Sequence, residues 1–296
     1  MSNTLAALRH KIHGTEQLGS VVRAMKAVAA SSIGQYEAAV DALADYQRSV
    51  ELGLSLCLRG EQPGATSASA FASATSRHRP TGALIFGSDQ GLVGRFNEVI
   101  ADFALGGLRE VPGSKTIWVV GERVGSYLAD AGVVITKRFP VPNSVAAITA
   151  LVAEIQIEIE AYTGGEHHGE VHTFHNRPQP AARYEVTRQR LLPLDAAWRR
   201  RLMELPWPGA HLAEVLGGGG ASLAALVHEH LFISLYKSCA ESLASENASR
   251  LEAMQRAEKN IEGLSDELRR SLNRLRQSSI DEELFDVVAG FEAQTR

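Results

Sequence analysis

Apolar residues near the carboxyl end recur in steps of three and four. The series runs through Leu231, Leu235, Cys239, Leu243, Leu251, Met254, Ile261, Leu264, Leu268, Leu272, Leu275, Ile280, Leu284, Val287 and Phe291. That spacing draws a stripe along one side of a helix. Between Ser222 and Gly290 there is no proline, and Gly263 is the one interior glycine, so nothing forces the helix to end. At 1.5 Å per residue such a helix is roughly 100 Å long, too long to bury in a globule, and it needs a partner helix or a sleeve of other subunits. Glu246–Arg250, Glu252–Arg256 and Asp266–Arg270 are spaced as i,i+4 pairs with the acid first, and Ser222 is a candidate amino-terminal cap.

Residues 4 to about 59 predict a second long helix, carried by Leu5, Leu8, Ile12, Leu18, Val22, Met25, Ala29 and Ile33. Gly14, Gly19, Gly34 and Gly53 each weaken a helix interior by about 1 kcal/mol, so packing must hold it. The alanine-rich stretch Ala24–Ala30, with Gly19, offers a close approach to another helix. Residues 1–34 hold four basic residues against one acid, whereas 245–296 hold eight against eleven. The opposite balances fit an antiparallel pairing of the two ends, although surface ion pairs give only about 0–1 kcal/mol each.

Between the helical ends the pattern changes. Residues 61–80 are rich in Gly, Pro, Ala, Ser and Thr and predict a flexible linker. Apolar runs then alternate with helical segments: strands at Ala83–Phe86, Thr116–Gly121, Val133–Phe139, Glu170–His175 and Arg183–Leu192, and helices to about Leu105, around Glu122–Ala131 and over Ser144–Tyr162. Alternation of this kind predicts an open, largely parallel, Rossmann-like sheet with covering helices. Pro193–Gly220 reads as irregular, and Trp207 fills the base of the domain or anchors a partner. The expected organisation is a shaft helix over 1–60, a linker over 61–80, an α/β domain over 81–205, a connection over 206–221 and a second shaft helix over 222–296. The fold class is α/β with a long antiparallel coiled coil of the chain ends.

Composition narrows the function. A net charge of −4 argues against general nucleic-acid binding. The two cysteines, Cys57 and Cys239, have no paired spacing and suit a reducing compartment as small packed hydrophobes. No leader-like segment or membrane-length apolar run is present, so a membrane role must come through a partner. The turn Gly87–Asn97 after the first strand is glycine-rich but has neither phosphate-loop spacing nor a suitable lysine. His167-His168, His172-x-x-His175 and His228-x-His230 do not share faces suited to a metal. No cofactor, metal or catalytic constellation is expected.

Several ordered runs resemble the γ subunit of F-type ATP synthases. At the amino end these are Arg23-Ala24 followed by Met25-Lys26-Ala27-Val28-Ala29-Ala30-Ser31. At the carboxyl end they are Glu241–Leu251 (ESLASENASRL) and Asn273–Leu284 (NRLRQSSIDEEL), and in the middle Ser88-Asp89-Gln90-Gly91-Leu92-Val93-Gly94. In the middle run the glycines would make a turn and Asp89 would cap it. The resemblance implies a non-catalytic rotor shaft inside a ring of α and β subunits, with a foot on the ε subunit and the membrane c-ring. It implies a peripheral protein on the cytoplasmic face of the inner membrane that couples ion flow to ATP synthesis or hydrolysis. By the same resemblance Met25, Arg250, Arg276, Gln277, Asp281 and Glu283 meet the β subunits, and the tip with Val287, Val288 and Phe291 runs in an apolar sleeve. Ser20, Val22 and Ser32 replace the family's usual Lys, Thr and Lys. Asp281 stands for Thr, Gly87 for Thr, and Arg95-Phe96 for Gly-Leu. Such departures are similar to γ chains of alternate bacterial and archaeal ATPases, and the coupling ion is not legible. A coiled-coil scaffold carrying an α/β ligand-binding module is the alternative; it gives no reason for the polar run Arg276–Glu283.

Overall fold

The computed structural model describes residues 2–60, 80–111, 113–164, 169–180, 183–194, 196–209, 215 and 219–294. The expected linker, apart from Pro80, and the His167-His168 loop lie outside the described residues. The elements are α1 (Ser2–Ala42), α2 (Ala44–Gly60), β1 (Thr81–Phe86), α3 (Phe96–Arg109), β2 (Lys115–Val120), α4 (Glu122–Asp130), β3 (Lys137–Phe139), α5 (Val145–Thr163), β4 (Glu170–Gln179), β5 (Arg183–Leu192), α6 (Ala196–Glu204) and α7 (Gly219–Gln294). Two compact units emerge: the first 29 residues with the chain from Arg250 onward, and Ala30–Ser249.

The larger unit is built on a five-stranded sheet in the order β3-β2-β1-β4-β5. β1 pairs in parallel with β2 and β4, β2 in parallel with β3, and β5 runs antiparallel to β4. Every β1 residue is buried, as expected of a central strand covered on both faces. Its alternate side chains feed two cores. Leu84 and Phe86 pack with Trp118 and Val120, with Ile148, Val152 and Ile155 of α5, and with Leu235, Cys239 and Leu243 of α7. Ala83 and Ile85 pack with Ile100 and Ala104 of α3 and Val124 and Leu128 of α4. Ser144 caps α5 by accepting a hydrogen bond from the Ala147 amide.

Some sequence expectations are corrected. The amino-terminal helix is interrupted at Leu43, where α1 gives way to α2. β3 keeps only Lys137–Phe139 of the expected strand, and α7 begins at Gly219, so Ser222 lies inside it. The segment expected to be irregular contains α6. Leu202 on α6 packs with Leu54 and Leu58 of α2 and with Leu223 and Ile233 of α7. The Arg59 guanidinium donates to the Met203 carbonyl at 2.6 and 3.0 Å and to Leu205 O at 2.5 Å, satisfying carbonyls at and just beyond the carboxyl end of α6. Trp207 is half-buried.

From Leu231 to Ser249, α7 is buried nearly all round, polar residues included. Glu241 accepts from His175 Nε2 at 2.9 Å and from Arg177 Nε at 3.2 Å. Ser245 donates to Asn176 O at 3.0 Å, Asn247 to Leu243 O at 2.8 Å, and Ser249 to Val93 O at 2.6 Å. Val93 belongs to the turn after β1, whose other bonds are equally specific. Asn97 Oδ1 accepts from the Ser88 amide and Asn97 Nδ2 donates to Ser88 Oγ. Asp89 does not cap its own turn: its two oxygens accept from the amides of Glu122, at the start of α4, and of Val141. Gly121, at φ 112°, faces this turn so closely that a Cβ there would lie 2.8 Å from the Ser88 nitrogen.

In the smaller unit α1 and α7 pair antiparallel. Lys26 bonds to Glu258, and Arg269 to Glu16 at 2.9 Å. On α1 the seam runs through Leu5, Leu8, Ile12, Thr15, Gly19, Val22, Lys26 and Ala29, with Gly14 and Met25 half-covered beside it. On α7 it runs through Leu251, Met254, Glu258, Ile261, Ser265, Leu268, Leu272, Leu275 and Ser279. Both sets alternate steps of three and four, the repeat of a coiled coil. The predicted stripes therefore need correction: Leu18, Leu264, Ile280 and Leu284 are exposed, while Gly19, Ser265 and Ser279 hold seam positions. Of the alanines at 24–30 only Ala29 is buried. Glu252–Arg256 forms at 3.2 Å as expected, but Arg270 reaches the Asp266 carbonyl rather than its carboxylate.

A Cβ at Gly19 would touch Ile261 at 3.4 Å, whereas one at Gly14 meets nothing within 4 Å. Gly14→Ala is therefore expected to stabilise the full chain by up to about 1 kcal/mol, and Gly19→Phe to cost about 1–3 kcal/mol by wedging the seam. Thermal unfolding checks both. Burial alone would push the Glu241 carboxyl up, but the hydrogen bond and charge of His175, with the Arg177 charge, outweigh it and hold the group below its ordinary range. A depressed value contributes stability that is complete above the unfolded carboxyl range, about 4.3, and is lost as pH falls through the folded value. Glu241→Gln should cost about 1–3 kcal/mol at neutral pH. The deficit should shrink below about pH 4, as read by urea unfolding across pH.

Candidate functional site

The seam between α1 and α7 uses one side of each helix, and it leaves a second set of apolar side chains in solvent. On α1 these are Leu18, Val21 and Val28, 55–66% exposed, with half-buried Met25 completing steps of three and four. On α7 they are Leu264, Ile280, Leu284, Phe285, Val287 and Val288, 48–71% exposed. Apolar rows of this kind on a charged helical pair mark surfaces built to meet other macromolecules.

The residues singled out in the sequence fall at two levels. Met25 and Arg250 are half-buried. Arg276, Gln277, Asp281 and Glu283 are exposed and lie roughly 39 Å farther along α7, counting from Arg250 to Arg276. Helical spacing puts Arg276, Ile280, Glu283 and Val287 in one row and Gln277, Asp281, Leu284 and Val288 in the next. The second level is thus a polar and apolar mosaic. The side chain of Phe291 lies outside the described residues.

Reasoning from sequence missed how the ESLASENASRL run is used. Glu241, Ser245 and Ser249 are not surface contacts but the bonds that fix α7 to β4 and to the turn after β1. The signal was present: serines, Asn and Glu all round a helix, with no single polar face, require partners inside the protein.

Other candidate chemistry is absorbed by packing. His172 and His175 point to opposite faces of β4. His172, close to Glu170 and Arg188, is held below its ordinary pKa by burial and the Arg188 charge. Both cysteines are buried thiols outside any disulfide, and burial, with the Glu246 charge, pushes the Cys239 thiol up. Burial also raises Tyr162 to about 12. Among the described residues no group of three or more His, Cys, Asp or Glu could hold a metal, and no helix is long and apolar enough to cross a membrane.

In an open α/β sheet ligands bind outside the carboxyl ends of the strands, where the strand order reverses. Here that point lies between β1 and β4. Ser245 on the extension of β4 and Ser249 on the turn after β1 place α7 across it.

Comparison with known proteins agrees with these features. The ATP synthase family model matches residues 4–294. The ATP synthase gamma chain of Thermobifida fusca is 28% identical over 99% of this chain and 97% of its own length. That of Moorella thermoacetica is 26% identical over 97% of each. Among solved structures, a chain of the Euglena gracilis mitochondrial ATP synthase OSCP/F1/c-ring assembly, rotational state 3, has the same fold. Its TM-score is 0.66, with 17% identity over 99% of this chain and 95% of that one. A chain of the Tetrahymena thermophila ATP synthase central stalk/c-ring gives a TM-score of 0.56, with 21% identity over 80% and 99%. Matched over residues 4–294, the chain belongs to the ATP synthase family and within it to the gamma chains.

Proposed function

We propose that this chain is the central shaft of an F-type ATP synthase, with the paired ends inside the ring of α and β subunits. The α/β unit is the foot, carried by the c-ring and the ε subunit. The observation that carries this reading is the apolar rows outside the seam: the helical pair satisfies its own packing and still presents Leu18, Val21, Val28, Ile280, Leu284 and Val287. In this reading catalysis belongs to the β subunits. Because the rows are unevenly distributed around the shaft, each β subunit meets a different surface at any angle and is biased toward a different conformation. Met25 and Arg250 serve one contact level, and Arg276, Gln277, Asp281 and Glu283 the other. The chain sits at the cytoplasmic face of the inner membrane through the c-ring. One charge crossing 100 mV supplies about 2.3 kcal/mol, so several must accumulate as twist before one ATP is made.

Co-expression with the α and β subunits of its own operon tests this. An αβγ complex that hydrolyses ATP is expected. Arg276→Ala with Gln277→Ala should slow or uncouple it, by about tenfold for a contact worth about 1–2 kcal/mol. Ile280→Asp with Leu284→Asp should prevent assembly while leaving the melting temperature of the isolated chain unchanged, because both side chains are already in solvent. A well-folded chain that stays out of the hexamer would sink the shaft assignment.

A further inference from the structure

The Ala30–Ser249 unit holds a cavity of about 340 Å³ where α2, β4, β5, α6 and α7 meet. It is separate from the glycine-rich turn after β1. Four permanent cations line it: Arg177, Arg190, Arg201 and Lys237. Among the described residues Glu51 is the one carboxylate in the lining, and Gln47 already donates to it at 2.8 Å. Arg177 shares the Glu241 carboxylate with His175, whereas among the described residues Arg201 and Lys237 have no ion-pair partner. Like charges gathered in a cleft repel one another and focus a positive potential into it, a cost that a bound anion relieves.

The walls are fixed in place. Arg201 and Trp198 stand one turn apart on α6, which is held by Leu202 in the α2–α6–α7 core and by Arg59 at its carboxyl end. His230, Ser234 and Lys237 occupy one face of α7. The Trp198 ring lies 4.6 Å from the His230 imidazole, closing one side with flat aromatic surface, and among the described residues the buried His230 Nδ1 has no hydrogen-bond partner. Gln189 and Ser234 add neutral donors to the lining. The volume is at the lower end of the range of about 300–1,000 Å³ that small ligands use, and guanidinium forks suit phosphate oxygens.

We propose that this cavity binds a phosphate-bearing anion, so that the foot carries a ligand site of its own. Such a phosphate is carried either by a soluble metabolite or by a lipid headgroup, and the test separates the two. The full chain is titrated with pyrophosphate and with inorganic phosphate by calorimetry at fixed ionic strength. It is also sedimented with phosphatidylcholine vesicles with and without phosphatidylglycerol. One-to-one, saturable pyrophosphate binding is expected, weakened about tenfold per cation removed in Arg201→Gln with Lys237→Gln. Arg109→Gln with Lys115→Gln, which removes the same charge from exposed positions on α3 and β2, should leave binding unchanged. Unliganded melting temperatures establish that both variants fold. If the chain also sediments with anionic vesicles, and both pyrophosphate and the Arg201/Lys237 variant abolish this, the source is a lipid headgroup; without sedimentation it is soluble. Absent pyrophosphate binding, as an acidic partner segment filling the cavity would give, overturns the proposal. So does equal weakening by both pairs, or vesicle binding that pyrophosphate does not displace.

Discussion

The hydrogen-bonded seat of α7 on the sheet is the constraint on which the rest depends. Apolar packing alone would let a helix of 76 residues settle in more than one register, since a slide of one heptad presents a similar stripe. Burying Glu241, Ser245 and Ser249 removes that freedom. Each must find His175, Asn176 O or Val93 O, and a slipped register would leave them unsatisfied at about 1–3 kcal/mol apiece.

The coiled coil shows the opposite economy. Among the leucines and other apolar residues of its seam stand Gly19, Thr15, Ser265 and Ser279 and the Lys26–Glu258 pair, none of which contributes the burial of a leucine. The large apolar residues Leu18, Val28, Ile280 and Leu284 point away. A pair optimised for its own stability would have these assignments reversed. Small and polar seam residues let the helices approach closely, while the hydrophobic surface is kept for a surrounding sleeve. The smaller unit therefore accepts a weaker interior in exchange for an outward apolar face.

Much of the architecture was legible in the sequence, for identifiable reasons. The missing prolines and the threes-and-fours period predict α7, and the unbroken apolar run Ala83–Phe86 reads as a buried strand. What failed has a common cause. Adjacent residues lie about 100° apart on a helix, yet steps of three and four run through either one. Val22 lies four from Leu18 and three from Gly19, and Leu268 four from Leu264 and three from Ser265, so spacing alone does not single out the seam position. Hydrophobicity favours the leucine, but helix approach selects the small residue. Asp89 shows the second limit: an acid beside a glycine-rich turn suggests a local cap, yet its partners are 33 and 52 positions away, at Glu122 and Val141. Contact residues such as Arg276 and Asp281 were legible only through family resemblance, because an exposed charged helix looks the same whether it faces water or a partner.

The use made of the β1/β4 switch point links fold to function. A strand order of 3-2-1-4-5 with a glycine-rich first turn ordinarily opens a crevice for a phosphate-bearing ligand. In this chain the same turn offers its Val93 carbonyl to Ser249, and the extension of β4 beyond β1 offers Asn176 O to Ser245. The positions that would receive a ligand receive α7 instead. A helix seated there meets backbone fixed by the pairing of β1 with β4 and by the bonds of Asn97 and Asp89 around the turn. A torque applied to the α/β unit would then reach α7 through main-chain bonds and a buried carboxylate, not through flexible surface side chains. The fold thus keeps the geometry of a binding domain and uses its crevice to seat a helix.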